Sequence, residues 1–292
     1  MTLSAAASRS LLPVLLCVAG LVPAGCASTR DVGPQSRPSA SNTTPHGGPA
    51  RASTDEVLWR VDTGGGFLPP EYSLASQPSM TVYGDGTVIV TAPEPRRLVR
   101  GRPIQLLTGQ LQDRRLAQLI AEAATSAVFA RANPDFGQPA VMDAGTTTID
   151  FRDPRTGRLE QRSVYALGLD DAAGVLTSQQ QHLRDEVDRL ISWSRALVKA
   201  SGSYLPSRVE VIELPTFERS PVLGRAWPGP PLDELLRASG REWTCGVVTG
   251  SQARRLFTAV STHPGLDWTD HGKTRRLVTK ALLPGEGGCE QG

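Results

Sequence analysis

The sequence has almost no net charge and only one long apolar run, and each shortage excludes a class of protein. Its 31 basic and 29 acidic residues leave a formal charge of +2, too little to hold a polyanion, so no nucleic-acid partner is expected. No apolar run approaches the length of about 20 residues that a membrane-spanning helix needs. With 39% hydrophobic residues among 292, the chain is expected to form one or two globular domains.

The sequence also lacks the short motifs that identify common enzymes. It contains no Gly-x-Ser-x-Gly, His-Glu-x-x-His, Walker, Cys-x-x-Cys or Ser-x-x-Lys pattern. The glycine run at 64–66 is followed by Phe-Leu-Pro-Pro rather than by a helix start, so a plain turn is expected there and not a phosphate site. We therefore expect no cofactor, and a catalytic role is the less favoured hypothesis.

The N-terminal segment has the layout of a secretory signal peptide. Residues 1–9 contain Arg9 and no acidic residue, and an apolar run of 13 residues follows at 10–22. That run is too short to cross a bilayer, so a permanent transmembrane anchor is the weaker interpretation. Residues 1–25 are predicted to be removed on export.

The segment 21–26, Leu-Val-Pro-Ala-Gly-Cys, resembles the lipobox of bacterial lipoprotein signal peptides, although Pro23 stands where that family usually has leucine. The resemblance implies that Cys26 becomes the mature N-terminus, with diacylglycerol on its thiol and usually an acyl chain such as palmitate on its amine. Several acyl chains exceed what stable membrane anchoring requires. The alternative is an ordinary signal peptide cleaved nearby, with Cys26 left as a thiol.

Residues 26–54 are predicted to be a lipidated, disordered tether. Among the 28 residues after Cys26, 16 are Ser, Thr, Pro or Gly, and Val32 is the only sizeable apolar side chain. As a flexible coil, such a tether spans about 30 Å, and when extended it spans up to about 90 Å.

From residue 55 the sequence alternates strand and helix patterns, with hairpins prominent. Ser178 with Gln181 resembles a capping box, and Thr108 is a plausible cap for an earlier helix. Strands are predicted at 57–61, 80–91 with a turn at 83–87, 146–151, 161–167, 208–214, 243–248 and 273–283, and helices at 116–128, 178–198, 232–238 and 251–260.

These patterns predict an α+β fold, with a mostly antiparallel sheet of about seven strands and about four helices. The pattern restarts after Gly202. Residues 55–202 and 203–292 are therefore expected to form either two subdomains or two layers of one body.

Two cysteines remain after the signal peptide and the lipobox. Cys17 lies in the predicted signal, which leaves Cys245 in a predicted strand and Cys289 after a flexible glycine-rich segment. In an exported protein such a pair is expected to form a structural disulfide that holds the C-terminus. Free thiols or an intermolecular bridge are the alternatives.

The densest group of candidate metal ligands lies in a loop before the last strand. It consists of His263, Asp267, Asp270 and His271, which are ligand types that suit zinc or a similar ion. Loop spacing does not show that these side chains converge, and a polar surface loop is the favoured interpretation. No metal site is therefore predicted.

Two further features are candidates for contact with a partner. Arg96, Arg97, Arg100 and Arg102 could meet anionic lipid headgroups or wall polymers, although a solvated loop is the favoured interpretation. Trp227, in a proline-rich loop, is the weak candidate for a partner contact, because a rigid aromatic side chain loses little entropy on binding. Trp227 could equally cap the core.

Several stretches of the body resemble those of uncharacterised secreted lipoproteins of high-GC Gram-positive bacteria. The stretches are PPEY at 69–72, TVYGDG at 81–86, SVYALG at 163–168 and CGVV at 245–248. The resemblance implies a lipid anchor in the outer face of the cytoplasmic membrane, and it implies no particular activity.

The leading hypothesis is a membrane-anchored extracytoplasmic lipoprotein. Its body is expected to be a non-catalytic module that binds or organises an unknown envelope protein or polymer. The alternative is a cell-envelope enzyme of unrecognised type, with metal-dependent chemistry as one form.

Overall fold

A computed structural model describes residues 55–93, 99–169, 173–215, 224–238 and 243–291. These described residues belong to one compact unit. The predicted signal peptide, Cys26 and the tether lie outside the described residues, as do Arg96 and Arg97.

The first sheet has seven strands, and every neighbouring pair is antiparallel. Their order across the sheet is β6-β5-β1-β2-β3-β4-β7. The strands are β1 (Val57–Gly65), β2 (Met80–Tyr83), β3 (Thr87–Thr91), β4 (Leu106–Gln110), β5 (Gly145–Arg152), β6 (Leu159–Tyr165) and β7 (Ala200–Ser203).

The second sheet has six strands and is antiparallel except at one edge. The strands are β8 (Arg208–Glu213), β9 (Arg225–Ala226), β10 (Arg237–Ala238), β11 (Thr244–Thr249), β12 (Asp267–Asp270) and β13 (Lys273–Ala281). Their order is β10-β11-β8-β13-β12-β9, with β12 and β9 parallel. The predicted α+β fold with a mostly antiparallel sheet is confirmed.

Six α-helices and one short 3₁₀ helix accompany the sheets in the described residues. They are α1 (Pro70–Ala75), α2 (Asp113–Thr125), α3 (Ala127–Ala130), α4 (Ser178–Leu197), α5 (Leu232–Leu235), α6 (Gly250–Thr262) and the 3₁₀ helix Gly288–Gln291. A capping box starts α4, but it is formed by Thr177 and Gln180, one residue before the predicted pair. None of the helices in this part of the chain is long and apolar enough to cross a membrane.

One core lies on the first sheet and another joins the two sheets. In the first, Leu183, Val187 and Leu190 form the buried stripe of α4, as their helical spacing requires. In the second, Ile89 from the first sheet and Val209 from the second pack in one cluster with side chains of α6. Each buried aliphatic side chain contributes about 1.5–3 kcal/mol through removal from water.

The structure contains more strands than the sequence pattern indicated. Among the described residues there are 13 strands, against about seven predicted. Thr108, expected to cap a helix, lies in β4, and the helix predicted to continue to residue 238 ends at Leu235. Besides β4, the additional strands are β7, β9, β10 and β12, which have two to four residues each, too few for an alternating pattern.

Candidate ligand-binding cavity

A cavity of about 780 Å³ lies beside α1, between one end of the first sheet and β13 of the second. This volume is within the range of about 300–1,000 Å³ that small-molecule sites occupy. Side chains from widely separated parts of the chain line it, from Thr63 at the end of β1 to Thr279 in β13. The site is therefore a product of the tertiary fold and not of a local motif.

The wall of the cavity is mostly apolar. Leu68, Ala75, Ile104 and Val278 contribute hydrocarbon surface from four different segments. On the inner side Val278 and Thr279 are nearly fully buried, whereas Leu68 is exposed at the outer side. Such a lining favours a ligand with a substantial apolar part.

The local geometry of α1 forms one wall. The prolines at 69 and 70 start this six-residue helix, because proline at the first helical position needs no amide partner and already has helical φ. The helix packs on β13. Gln77, just after the helix, donates from Nε2 to the carbonyl oxygen of Ala281 at 2.8 Å, which fixes the helix end against the second sheet.

The segment 99–105 forms the opposite wall, and Gly101 holds it in place. Gly101 has φ +73°, and a Cβ there would lie 2.4 Å from the carbonyl carbon of Gly265. Only glycine therefore lets this segment approach the loop before β12 so closely. The amide of Arg102 donates to the carbonyl oxygen of Val99 at 3.0 Å and closes the turn.

Glu71 is the acidic side chain of the described lining, and it is paired. Arg100 donates from Nε to Glu71 Oε1 at 2.7 Å and forms an ion pair with it. Burial raises the pKa of Glu71, but the hydrogen bonds from its own backbone N–H and from Arg100, together with the charges of Arg100 and Arg276, outweigh burial. The pKa is lowered below its ordinary value of 4.5, so the carboxylate remains ionised at neutral pH.

Trp227, the weak candidate for a partner contact, is buried in the structure. Its side chain is 9% exposed, and its Nε1 donates to the carbonyl oxygen of Pro230 at 2.8 Å. The indole meets that of Trp268 edge to face, with 5.6 Å between ring centroids. The proline-rich loop folds the ring onto the second core, so the alternative interpretation, a cap on the core, describes this residue.

The four candidate metal ligands are not brought together. His263 ends α6, Asp267 starts β12, and Asp270 and His271 lie at the turn after β12. One carboxylate oxygen of Asp270 already accepts from the amide of Leu232 at 2.7 Å, and the other lies 3.0 Å from His271 Nδ1. Within the described ranges, these residues form no group of three or more converging ligands.

Cys245 in β11 and Cys289 in the 3₁₀ helix lie at disulfide distance, as predicted, with their Cα atoms 6.0 Å apart. Glu210, buried in β8, has Oε1 3.3 Å from Cys289 Sγ. In the part of the chain that the structure describes, these three residues are the group whose ligand atoms converge, within 4.8 Å. Thiolates are the ligand form of cysteine, so the disulfide removes them from metal binding.

Half of the predicted arginine cluster borders the cavity. Arg102 lines it, and Arg100 is tied to it through Glu71. The charge cluster was visible in the sequence, but the apolar residues beside it carried no signal of a cavity. Their chemistry is that of any core or turn residue, and only the fold brings them together.

The fold and the cavity define an α+β protein with two sheets and a ligand-sized apolar site at their junction. Comparison with family models, with curated proteins and with solved structures finds no match to the chain. The activity must therefore be argued from the site itself.

Proposed function

We propose that this protein is a membrane-anchored extracytoplasmic lipoprotein whose body binds a small apolar or amphipathic molecule. The observation that carries the proposal is the largely apolar cavity of about 780 Å³ between α1 and β13. Burying apolar ligand surface there would favour binding by about 25 cal/mol for each Å² removed from water. The anchor follows from the resemblance of residues 21–26 to a lipobox.

The chemistry of the lining supports binding over catalysis. The described lining contains no histidine or cysteine, and its carboxylate, Glu71, is held ionised by Arg100. Ser79, the serine nearest the sheet, donates to the carbonyl oxygen of Val61 at 3.1 Å, so its hydroxyl proton is engaged with the backbone. Among these residues, no nucleophile is paired with a base in the way that covalent catalysis requires.

A fluorescent fatty-acid analogue tests the proposal. The chain from residue 26, carrying Cys26→Ser so that it takes no lipid, contains all of the described residues of the body. We expect this chain to bind the probe, and we expect unlabelled fatty acid to displace the bound probe. Ala75→Trp, which fills the cavity, should weaken binding at least tenfold, because the indole takes volume that the ligand needs.

Ala121→Trp is the matched control, because Ala121 is exposed on α2 away from the cavity lining. It should leave probe affinity unchanged. Equal affinity in the two tryptophan variants would refute binding at this cavity, and no binding to the unsubstituted chain would refute the proposed ligand class.

A further inference from the structure

Large apolar side chains that are exposed to solvent lie in the cavity lining or in the loops next to it. Phe67 is 90% exposed, Met142 is 88% exposed and Leu68 is 53% exposed, while Val99 is 38% exposed. Leu68 and Val99 also line the cavity. Single exposed apolar residues are common, but several beside one apolar opening indicate an interaction surface.

Backbone contacts bring these side chains to one end of the first sheet. The amide of Phe67 donates to the carbonyl oxygen of Asp143 at 3.3 Å, which places the loop containing Met142 beside the loop containing Leu68. Gly66 makes this approach possible, because it has φ +77° and a Cβ there would lie 2.9 Å from Asp143 O. The two loops therefore present their apolar side chains from adjacent positions.

The same region carries two exposed arginines. Arg102 lines the cavity, and Arg100 forms an ion pair with Glu71 of the lining. The charge of Arg100 is balanced by Glu71, and exposed Asp143 lies next to Met142, so the positive charge is that of Arg102, on the side of segment 99–105. We define the cavity rim as Phe67, Leu68, Val99, Arg100, Arg102 and Met142.

We propose that the cavity rim docks on an anionic lipid bilayer and that the cavity exchanges its ligand directly with that bilayer. The exchange step rests on the proposed ligand binding, and the choice of a membrane as the occupant rests on the proposed lipid anchor at Cys26. Apolar side chains at loop tips enter the interfacial region of a bilayer, and a basic side chain beside them pairs with anionic headgroups.

The chain outside the described structure favours a membrane as the occupant. The sequence predicts a tether of 28 residues between Cys26 and Asp55, which spans about 30 Å as a coil and up to about 90 Å when extended. The nine residues of β1, at about 3.3 Å each, separate the start of the body from the rim by about 30 Å. A tether anchored at Cys26 is therefore long enough for the rim to face the membrane that holds it.

Vesicle co-sedimentation tests the docking. The unlipidated chain from residue 26 with Cys26→Ser is mixed with vesicles of phosphatidylglycerol and phosphatidylcholine, or of phosphatidylcholine alone. We expect preference for the anionic vesicles. Phe67→Ser with Met142→Ser should weaken binding to both vesicle types at least tenfold, while Arg102→Gln should remove about a fivefold preference for anionic vesicles only.

Leu159→Ser is the matched control. Leu159 is 50% exposed and pairs with Arg152, at the end of β5 far from the loop containing Asp143. It should leave vesicle binding unchanged. The thermal transition of each variant checks folding, and the single Met142→Ser variant repeats the test if the double variant does not fold.

Transfer of the fluorescent fatty-acid analogue from chain to vesicle tests the exchange. If exchange occurs through contact at the rim, the transfer rate should rise in proportion to vesicle concentration and fall in the Phe67→Ser, Met142→Ser variant. A rate independent of vesicle concentration would overturn the exchange step, because the ligand would then pass through water.

The outcomes separate this proposal from the proposed function. Loss of vesicle binding with unchanged probe affinity in the double variant supports docking by the rim. Equal vesicle binding by the double variant and Leu159→Ser overturns it, whatever the cavity binds. Vesicle binding without probe binding supports docking but refutes the proposed function. Rim-dependent crosslinking to an envelope protein, without vesicle binding, overturns the bilayer as the occupant.

Discussion

Glu71 is a charged group in the wall of a mostly apolar cavity, and its partner decides its protonation. Burial alone would raise its pKa, yet the hydrogen bonds from its own amide and from Arg100, with the charges of Arg100 and Arg276, lower the pKa below 4.5. A carboxyl group whose pKa is lower in the folded protein stabilises the fold when ionised. Glu71 is therefore expected to have a structural role at the cavity wall.

Replacing Glu71 by Gln should lower the free energy of unfolding by about 1 kcal/mol at pH 7, a modest loss because solvent screens the exposed Arg100. The difference from the unsubstituted chain should be complete above pH 4.5 and should disappear as the pH falls below 4.5 through the lowered pKa. Urea unfolding at several pH values measures this.

Glu234→Gln serves as the control, because Glu234 is exposed in α5. It should change the free energy of unfolding little at any of these pH values. A difference for Glu71→Gln that stays constant from pH 7 to pH 3 would contradict the ionised pair with Arg100.

At the scale of single elements, the C-terminal segment is held by more than its disulfide. Besides Cys289, Glu286 forms an ion pair with Arg60 at 2.8 Å, and Arg208 donates to the carbonyl oxygens of Glu286 and Gly287. These contacts attach the last turn to both sheets. The sequence predicted the cysteine pair, but the arginine contacts join residues more than 75 positions apart and leave no local pattern.

Cys289→Ser should lower the free energy of unfolding by about 2–4 kcal/mol, because the bridge between residues 44 positions apart restricts the unfolded chain. The tail should nevertheless stay docked until Arg208→Gln is added. Urea unfolding measures the first effect, and proteolysis after residue 283 measures the second. A reducing agent should destabilise the unsubstituted protein and leave Cys289→Ser unchanged, and no effect on the former would contradict the bridge.

Gly246 shows how closely α5 approaches β11. A Cβ at Gly246 would lie 2.3 Å from the carbonyl oxygen of Leu235, a backbone atom that cannot rotate away. Gly246→Ala should therefore cost about 1–3 kcal/mol of folding free energy. At Gly202, also in a strand, the added Cβ would have Thr108 Cγ2 at 3.7 Å, an ordinary contact.

Gly202→Ala is thus the matched control. It should lower the free energy of unfolding by much less than Gly246→Ala does. Urea unfolding compares the two variants. If both variants lowered the free energy of unfolding equally, the effect would come from replacing any glycine in a strand and not from contact with α5.

The sequence predicted some helices and strands more accurately than others. Long segments with a clear period, such as α4 and β13, were predicted close to their observed bounds. The segment 106–110, Leu-Leu-Thr-Gly-Gln, has no alternation, and its strand identity comes from pairing with β3 and β7 on either side. Thr108 was therefore misassigned to a helix cap, because local residue preference was the only signal available.

At the scale of the whole molecule, the cavity depends on contacts that no local pattern encodes. Glu71 and Val278 line the same space although about 200 positions separate them in the chain. Each is an ordinary helix or strand residue, so neither residue type indicates a site. What the sequence does predict at this scale is the attachment of the molecule, through Cys26 and the tether.

Fractionation of cells tests the attachment. The unsubstituted protein should sediment with membranes and require detergent for release, and the mass of its N-terminal peptide should include diacylglycerol on Cys26. Cys26→Ala should move the protein to the soluble fraction, because docking by the rim alone is reversible and is lost on dilution, whereas several acyl chains hold stably. Cys17→Ala, the same change within the predicted signal peptide, should leave the protein with the membrane. An N-terminal peptide of the unsubstituted protein that carried no diacylglycerol on Cys26 would refute the lipid anchor.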